Sequence, residues 1–198
     1  MSLEIVSIIR DSFQEFEDKW SLVVFCKGCN LKCPECYNLG CNSFSETISI
    51  DYILKNEINQ AHEAIVFLGG EPTIWDKDLS KALKASKKIG LDTKVFSNGI
   101  LPKVVSDLNN EKLVDAYSLD LKAVRNVNNV VGVQMTDSDY LKKVCDSINN
   151  ILEYGLNLEI RTTKWDCIID QVDEIKDFMI REYPEIKHII QEKFEINE

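Results

Sequence analysis

Short runs of β-branched and aromatic residues alternate along the chain with longer stretches whose apolar positions recur every three or four residues. The runs predict strands at Leu22 to Cys26, Ala64 to Leu68, Thr93 to Ser97, Ala116 to Asp120, Leu158 to Thr162 and Lys187 to Ile190. The amphipathic stretches predict helices at Ile50 to His62, Leu79 to Ile89, Leu101 to Leu108, Asp139 to Tyr154 and Asp170 to Tyr183. Ser138 or Asp139 can cap its helix, Pro102 suits a first helical turn, and Gly90 and Gly155 stand where the preceding helices should stop. This alternation implies an α/β fold with a parallel sheet and right-handed crossovers. Six such strands can curl into a partial barrel or lie as an open doubly wound sheet, and the pattern allows both. The first twenty residues, with Phe13, Phe16 and Trp20 among acids, are expected to form an extension that packs over one end.

Composition narrows the class. A chain of 198 residues with 44% hydrophobic content fits one globular domain, residues 1–198, with the extension at 1–20. No apolar run approaches the roughly 18 to 20 uncharged residues of a membrane span. The net charge of −10, with no compensating basic stripe, repels phosphate backbones, so nucleic acid is not expected as a partner. Seven cysteines, four of them crowded between residues 26 and 36 with no signal peptide ahead of them, point to a reducing cytoplasm rather than a disulfide scaffold. Glu195 to Glu198 read as a solvated tail.

The chemistry concentrates after the first predicted strand, which delivers Cys29, Cys33 and Cys36 into one short loop. Thiolates are the usual ligands of a 4Fe-4S cluster, which normally takes four, so three leave one iron open to a substrate. Cys26 permits another pairing, Cys26-x-x-Cys29 with Cys33-x-x-Cys36, which would suggest zinc. Zinc ribbons, however, separate their pairs by roughly 15 to 20 residues, and here only Asn30-Leu31-Lys32 intervene. Polar residues between the thiols argue against a buried, inert set, while Cys26 suits the last inward position of its strand. Cys41, Cys145 and Cys167 have no informative spacing and read as structural.

In parallel α/β folds the chemistry gathers at the carboxyl ends of the strands. The polar clusters all fall there: the cysteine loop, Gly69-Gly70-Glu71-Pro72, Ser97-Asn98-Gly99, Asp120-Leu121-Lys122 and Arg161-Thr162-Thr163. Gly69 and Gly70 can admit a ligand close to the backbone, or they can simply end a strand in a turn. Glu71 can present a carboxylate to an ammonium group. Ser97 and Asn98 offer hydrogen-bonding groups, with Gly99 supplying a positive φ. Asp120 and Lys122 share a face of an extended segment and can pair with each other or bind polar substrate groups. Arg161 is costly to bury alone, so it should hold a ligand carboxylate or pair with Glu159 or Asp120. Neither His62 nor His188 is assigned a role.

Cys29-x3-Cys33-x2-Cys36 together with Gly69-Gly70-Glu71-Pro72 resembles the radical S-adenosylmethionine enzymes over most of the chain. Within them, FCKGCNLKCPECYN at 25–38 looks like the activating proteins of anaerobic ribonucleotide reductase. Tyr117 to Lys122 and Glu159 to Thr163 look like segments of the wider glycyl-radical activase group, which includes the pyruvate formate-lyase activase. Most superfamily members carry an aromatic residue just before the last cluster cysteine. Here Glu35 stands there and Tyr37-Asn38 follows the cysteine, a pair shared with the reductase branch. The related deazaguanine synthases continue after the third cysteine with an acidic residue and a threonine, which are absent.

The resemblance implies a partial (β/α)6 barrel with outer helices, and a 4Fe-4S cluster on Cys29, Cys33 and Cys36 whose open iron is chelated by S-adenosylmethionine. It implies reductive cleavage of that cofactor and hydrogen abstraction from a glycine of the anaerobic ribonucleotide reductase large subunit, with an electron donor such as flavodoxin or ferredoxin. Gly69, Gly70 and Glu71 would meet the methionine amino group, Ser97 and Asn98 its carboxylate or the ribose, and Tyr37 the adenine. Asp120, Lys122 and Arg161 would line the mouth for the partner's glycine loop or touch the methionine end. Activation of another glycyl radical enzyme, a radical enzyme acting on a small molecule, and a zinc-loaded binding module are the competing readings.

Overall fold

The computed structural model describes residues 3–38 and 46–193, so Cys41 and the Glu195 to Glu198 tail lie outside the described residues. Its strands are β1 (Ile5–Ser12), β2 (Ser21–Cys26), β3 (Ala64–Gly69), β4 (Asp92–Ser97), β5 (Ala116–Asp120), β6 (Asn157–Lys164) and β7 (Lys187–Glu192). Its helices are α1 (Ile50–Asn56), α2 (Asp76–Lys88), α3 (Pro102–Asn110), α4 (Val127–Val131), α5 (Asp137–Glu153) and α6 (Val172–Glu182). Single 3₁₀ segments, Pro72–Trp75 and Asp166–Gln171, precede α2 and α6.

The strands lie in chain order, β1 through β7, with β2 to β7 parallel and β1 antiparallel to β2. A doubly wound sheet needs a point where the order reverses, and this sheet has none. With right-handed crossovers, one uninterrupted direction puts every helix on the same face. That face carries Leu22, Val24, Ile65, Phe67, Val95, Tyr117, Leu119 and Ile160, packed on Leu79, Leu83, Val105, Leu108, Ile148 and Ile175 of the helices. The opposite face holds Val23, Ala64, Val66 and Ala116, with Phe25, Leu68 and Phe96 beside them.

Two contacts show that the sheet is curled. In a flat sheet β2 and β6 would stand about 19 Å apart, four spacings of about 4.8 Å. Yet Glu35, in the loop after β2, accepts from the backbone N–H groups of Asp166 and Cys167 just beyond β6, each at 3.0 Å. At the other end Glu17, ahead of β2, pairs with Lys187 of β7 at 2.7 Å. The result is the partial barrel, open between β7 and β1.

The first twenty residues divide into two parts rather than forming one extension. Ile5–Ser12 is an edge strand whose register slips between Ile5 and Ser7 and again between Ile9 and Ser12, which breaks the alternation that would have marked it. After it the chain turns under the barrel, where Phe16 buries against Val23, Ala64, Val66 and Ala116.

Helix α1 stops at Asn56, short of His62. Asn59 Oδ1 accepts from Ala61 N, and His62 Nδ1 accepts from Asn59 N, so side chains take up the backbone there. Buried His62 also donates from Nε2 to Arg10 O at 2.6 Å, tying this turn to β1. The cap of α5 is Thr136, whose hydroxyl accepts from Asp139 N, so neither Ser138 nor Asp139 fills that place. Among the described residues no helix is long and apolar enough to cross a membrane.

Candidate active site

The cysteine loop after β2 is held by its neighbours on every side. Lys27 N donates to Glu4 O ahead of β1, and Trp75 Nε1 donates to Lys27 O, both at 2.8 Å. Gly70 N donates to Cys26 O at 2.9 Å and Glu71 N to Gly28 O at 2.8 Å. Lys32 N donates to Val131 O at the end of α4, and Asn98 Nδ2 donates to Asn30 Oδ1, again at 2.8 Å. Asn38 Nδ2 closes the loop onto Gly69 O at 3.0 Å. Two glycines make this approach possible. A Cβ on Gly70 would sit 1.9 Å from Gly28 O, and one on Gly132, which has φ 66°, would sit 2.0 Å from Lys32 O. Gly69 and Gly70 therefore serve the contact between the two loops first. Gly132 belongs to no motif and was not legible beforehand.

Within this frame Cys33 is buried, and Cys29 and Cys36 are half-buried. Burial pushes the Cys29 thiol up to about 11 even though Leu31 N donates to its Sγ at 3.4 Å. Burial raises Cys33 as well, against the pull of the Lys122 ammonium. Thiols so placed keep their protons until a metal displaces them. Cys26 is fully buried in the core on the helix side of the sheet. Among the described residues no three His, Cys, Asp or Glu side chains converge on a point that could hold one metal ion. Thiolates are the usual ligands of iron-sulfur clusters, and this loop offers three of them in Cys29, Cys33 and Cys36.

The other rim residues are brought around this loop. Glu71 is buried, and burial raises its pKa against the hydrogen bonds it accepts. Its Oε1 takes Thr73 Oγ1 at 2.6 Å and Thr73 N at 3.1 Å, and its Oε2 takes Asn98 N at 2.6 Å. The carboxylate is thus committed to the protein, clamping the turn after β3 to the end of β4, instead of standing free for a ligand ammonium. Ser97 Oγ accepts from Gly99 N, and Gly99 has φ 72° as its position predicts. Asp120 and Lys122 form an ion pair at 2.7 Å. Burial works against the Lys122 charge, but the Asp120 carboxylate beside it raises the pKa. Tyr37 remains 57% exposed, with its phenol in the field of Asp120, Arg161 and Lys122.

Arg161 pairs with neither Glu159 nor Asp120. Glu159 holds Lys94 at 3.1 Å inside the barrel, and Asp120 holds Lys122. The Arg161 guanidinium stands 5.0 Å from the Phe96 ring centroid and donates from Nε to Gln191 Oε1 at 3.0 Å. Sequence reasoning also passed over Trp165, whose buried ring lies 5.0 Å from Lys122 Nζ, and Tyr140, whose hydroxyl accepts from Lys122 N. No local pattern marks either of them, because both reach the rim from elements remote in sequence.

The protein family described as the Radical SAM superfamily matches residues 23–180. Two proteins of Methanocaldococcus jannaschii, MJ1227 and MJ1632, bear names that class them provisionally as glycyl-radical enzyme activating enzymes. The first is 27% identical over 87% of this chain and 73% of its own length. The second is 32% identical over 80% of this chain and 60% of its own length. Among solved structures, native anSMEcpe with bound AdoMet superimposes with a TM-score of 0.65 at 17% identity, over 85% of this chain and 50% of that one. At that identity the likeness is one of fold, and the chain spans about half the length of that protein.

Proposed function

Since the chain belongs to the radical SAM superfamily, whose members use a 4Fe-4S cluster and S-adenosylmethionine, we propose that it activates a glycyl radical enzyme, the large subunit of anaerobic ribonucleoside-triphosphate reductase. The observation that carries this reading is the Cys29-x3-Cys33-x2-Cys36 loop, pinned at the mouth of a partial barrel by the turn after β3 and by Asn98 at the end of β4. The names of the two archaeal relatives support the activase class, and Tyr37-Asn38 after the third cysteine supports the reductase branch.

When bound, the cluster and S-adenosylmethionine supply one-electron cleavage chemistry able to take a hydrogen atom from a glycine α-carbon. The protein supplies position and excludes water. Cys29, Cys33 and Cys36 would each hold one iron. Gly69 and Gly70, kept in place by Glu71, would seat the methionine amino group against their backbone. Ser97 and Asn98 would meet the methionine carboxylate or the ribose, and the exposed ring of Tyr37 would meet the adenine. Asp120, Lys122 and Arg161 would line the side from which the partner's glycine loop arrives or touch the methionine end. An electron donor such as flavodoxin or ferredoxin completes the system.

Anaerobic incubation of the reconstituted protein with S-adenosylmethionine, reductant and a reductase large subunit should produce a glycyl signal in electron paramagnetic resonance. Cofactor cleavage without any such signal on glycyl radical enzymes would move the activity to a small-molecule substrate.

Glu71→Ala tests the seat itself. The substitution strands Asn98 N and Thr73 N in a buried place, each worth about 1 to 3 kcal/mol when unpaired. The end of β4 should then shift. S-adenosylmethionine affinity is expected to fall about tenfold, equivalent to about 1.4 kcal/mol, with iron content unchanged. Isothermal titration and iron counting decide it, and an unaltered affinity removes the assigned role.

A further inference from the structure

The charged side chains on the inner face of β2 to β7 are paired with opposite charges, with Arg161 as the exception. Lys94 holds Glu159 at 3.1 Å, Asp120 holds Lys122 at 2.7 Å, Lys187 holds Glu17 at 2.7 Å, and Asp92 holds Lys19. The chain has four arginines, and Arg10, Arg125 and Arg181 each hold a carboxylate, at 2.6, 2.9 and 2.7 Å. Arg161, half-buried in the barrel, holds none among the described residues.

Its guanidinium is nevertheless fixed in place. Nε donates to Gln191 Oε1 at 3.0 Å, its one hydrogen-bond partner among the described residues, and the Phe96 ring centroid lies 5.0 Å away. Arg161 stands on β6 and Phe96 on β4, so the side chain crosses the inner face of β5 between them. Ser118, the register partner of Phe96, faces the same interior as Ala116 two residues before it. The Ser118 hydroxyl is buried and has no hydrogen-bond partner among the described residues.

A guanidinium with Nε and one face occupied keeps its two Nη groups, whose N–H fork matches the two oxygens of a carboxylate. The unmatched charge is a single one. A carboxylate neutralises it, whereas a phosphate dianion would reverse it. Phe96 and Ser118 precede the strand ends Ser97 and Asp120 by one and two residues, so this group lies inside the barrel, below the rim proposed for the cofactor.

We propose that Arg161 and Ser118 form a carboxylate-binding site in the barrel interior, and that the substrate brings a carboxylate there together with the carbon that loses its hydrogen. Calling the ligand a substrate rests on the activity proposed above. The binding itself needs neither cluster nor cofactor.

The test is a nuclear magnetic resonance titration of the isotope-labelled, metal-free chain with acetate. The four arginine Nε–H signals report separately, and Arg161→Lys identifies the one that belongs to Arg161. Acetate should move that signal saturably, with Arg10, Arg125 and Arg181 as controls in the same spectrum. Ser118→Ala should weaken acetate about fivefold, the worth of one hydrogen bond, without lowering stability, since the hydroxyl it removes is unpaired. Acetyl-Asp-Gly-amide and acetyl-Asn-Gly-amide then separate the sources of the carboxylate.

Preference for the Asp peptide supports the site with a protein loop as its ligand. Acetate bound and both peptides refused supports it with a small carboxylic acid instead. No saturable shift at Arg161, equal shifts at all four arginines, equal binding of the two peptides, or wild-type acetate affinity in S118A overturns the site. In iron-loaded protein Arg161→Gln should keep S-adenosylmethionine affinity within about twofold. A loss of about tenfold assigns the guanidinium to the carboxylate of the cofactor and overturns the substrate role. Protein that takes up no iron overturns the radical-enzyme reading and leaves the acetate result standing.

Discussion

Single replacement of Cys29, Cys33 or Cys36 by alanine is expected to abolish stable iron incorporation, whereas Cys26→Ala should retain it. The contrast follows from where the sulfurs are. Cys26 ends β2 with its side chain fully buried in the core on the helix side of the sheet, where it acts as a small apolar group. Its truncation should lower stability by about 1 kcal/mol, a typical value for a point substitution, without touching the rim. The other three thiols belong to one loop whose backbone is already pinned. Loss of any one leaves two irons or more without a protein ligand, a set no cluster of this kind keeps. Iron counting and visible absorption of anaerobically reconstituted variants distinguish the cases. Equal loss of iron on removing Cys26 would indicate a four-thiolate site and end the open-iron reading.

Gly70→Ala should be nearly as damaging, though it removes no functional group. The added methyl carbon would sit 1.9 Å from Gly28 O and 2.7 Å from Gly28 C, both backbone atoms with no rotamer through which to escape. The cysteine loop would have to lift from the turn after β3, breaking the bonds from Gly70 N to Cys26 O and from Glu71 N to Gly28 O. Overpacking at about 1 to 3 kcal/mol and two lost hydrogen bonds at about 1 kcal/mol each give a cost of about 3 to 5 kcal/mol. Thermal denaturation should show that loss together with reduced iron uptake. Gly90→Ala is the control. It has φ 86° with nothing within 4 Å of the added carbon, so it should cost about 1 to 2 kcal/mol in backbone strain and leave iron binding alone. Equal stability losses for the two would show that the loop yields to the added methyl and that the Gly28 contact does not govern Gly70.

Legibility followed burial. The parallel strands are covered on both sides, so Leu22-Val23-Val24-Phe25 and Ala64 to Leu68 stand out as continuous apolar runs with ends close to those observed. β1 is an edge strand, half exposed and twice out of register, and nothing periodic survives in Ile5–Ser12. Helix α4 has five residues and is entered through Asn126 at φ 53°, too short for a period to appear. Among site residues, the cysteine spacing and the Gly-Gly-Glu segment were readable because their chemistry is local. What Glu71 bonds to was not, since Asn98 lies a whole crossover away.

By itself the sequence determined the order and direction of the six parallel strands and five of the helices, and the placement of thiols, glycines and charges at strand ends, because periodicity and spacing act over a few residues. The tertiary structure alone decided that the sheet curls, that Glu35 bonds residues more than a hundred positions away, that Arg161 rests on Phe96 while Glu159 goes to Lys94, and that Gly132 must be glycine. Those outcomes depend on which side chains meet across the barrel, and that is set by the closure of the sheet as a whole, which no local window of residues encodes.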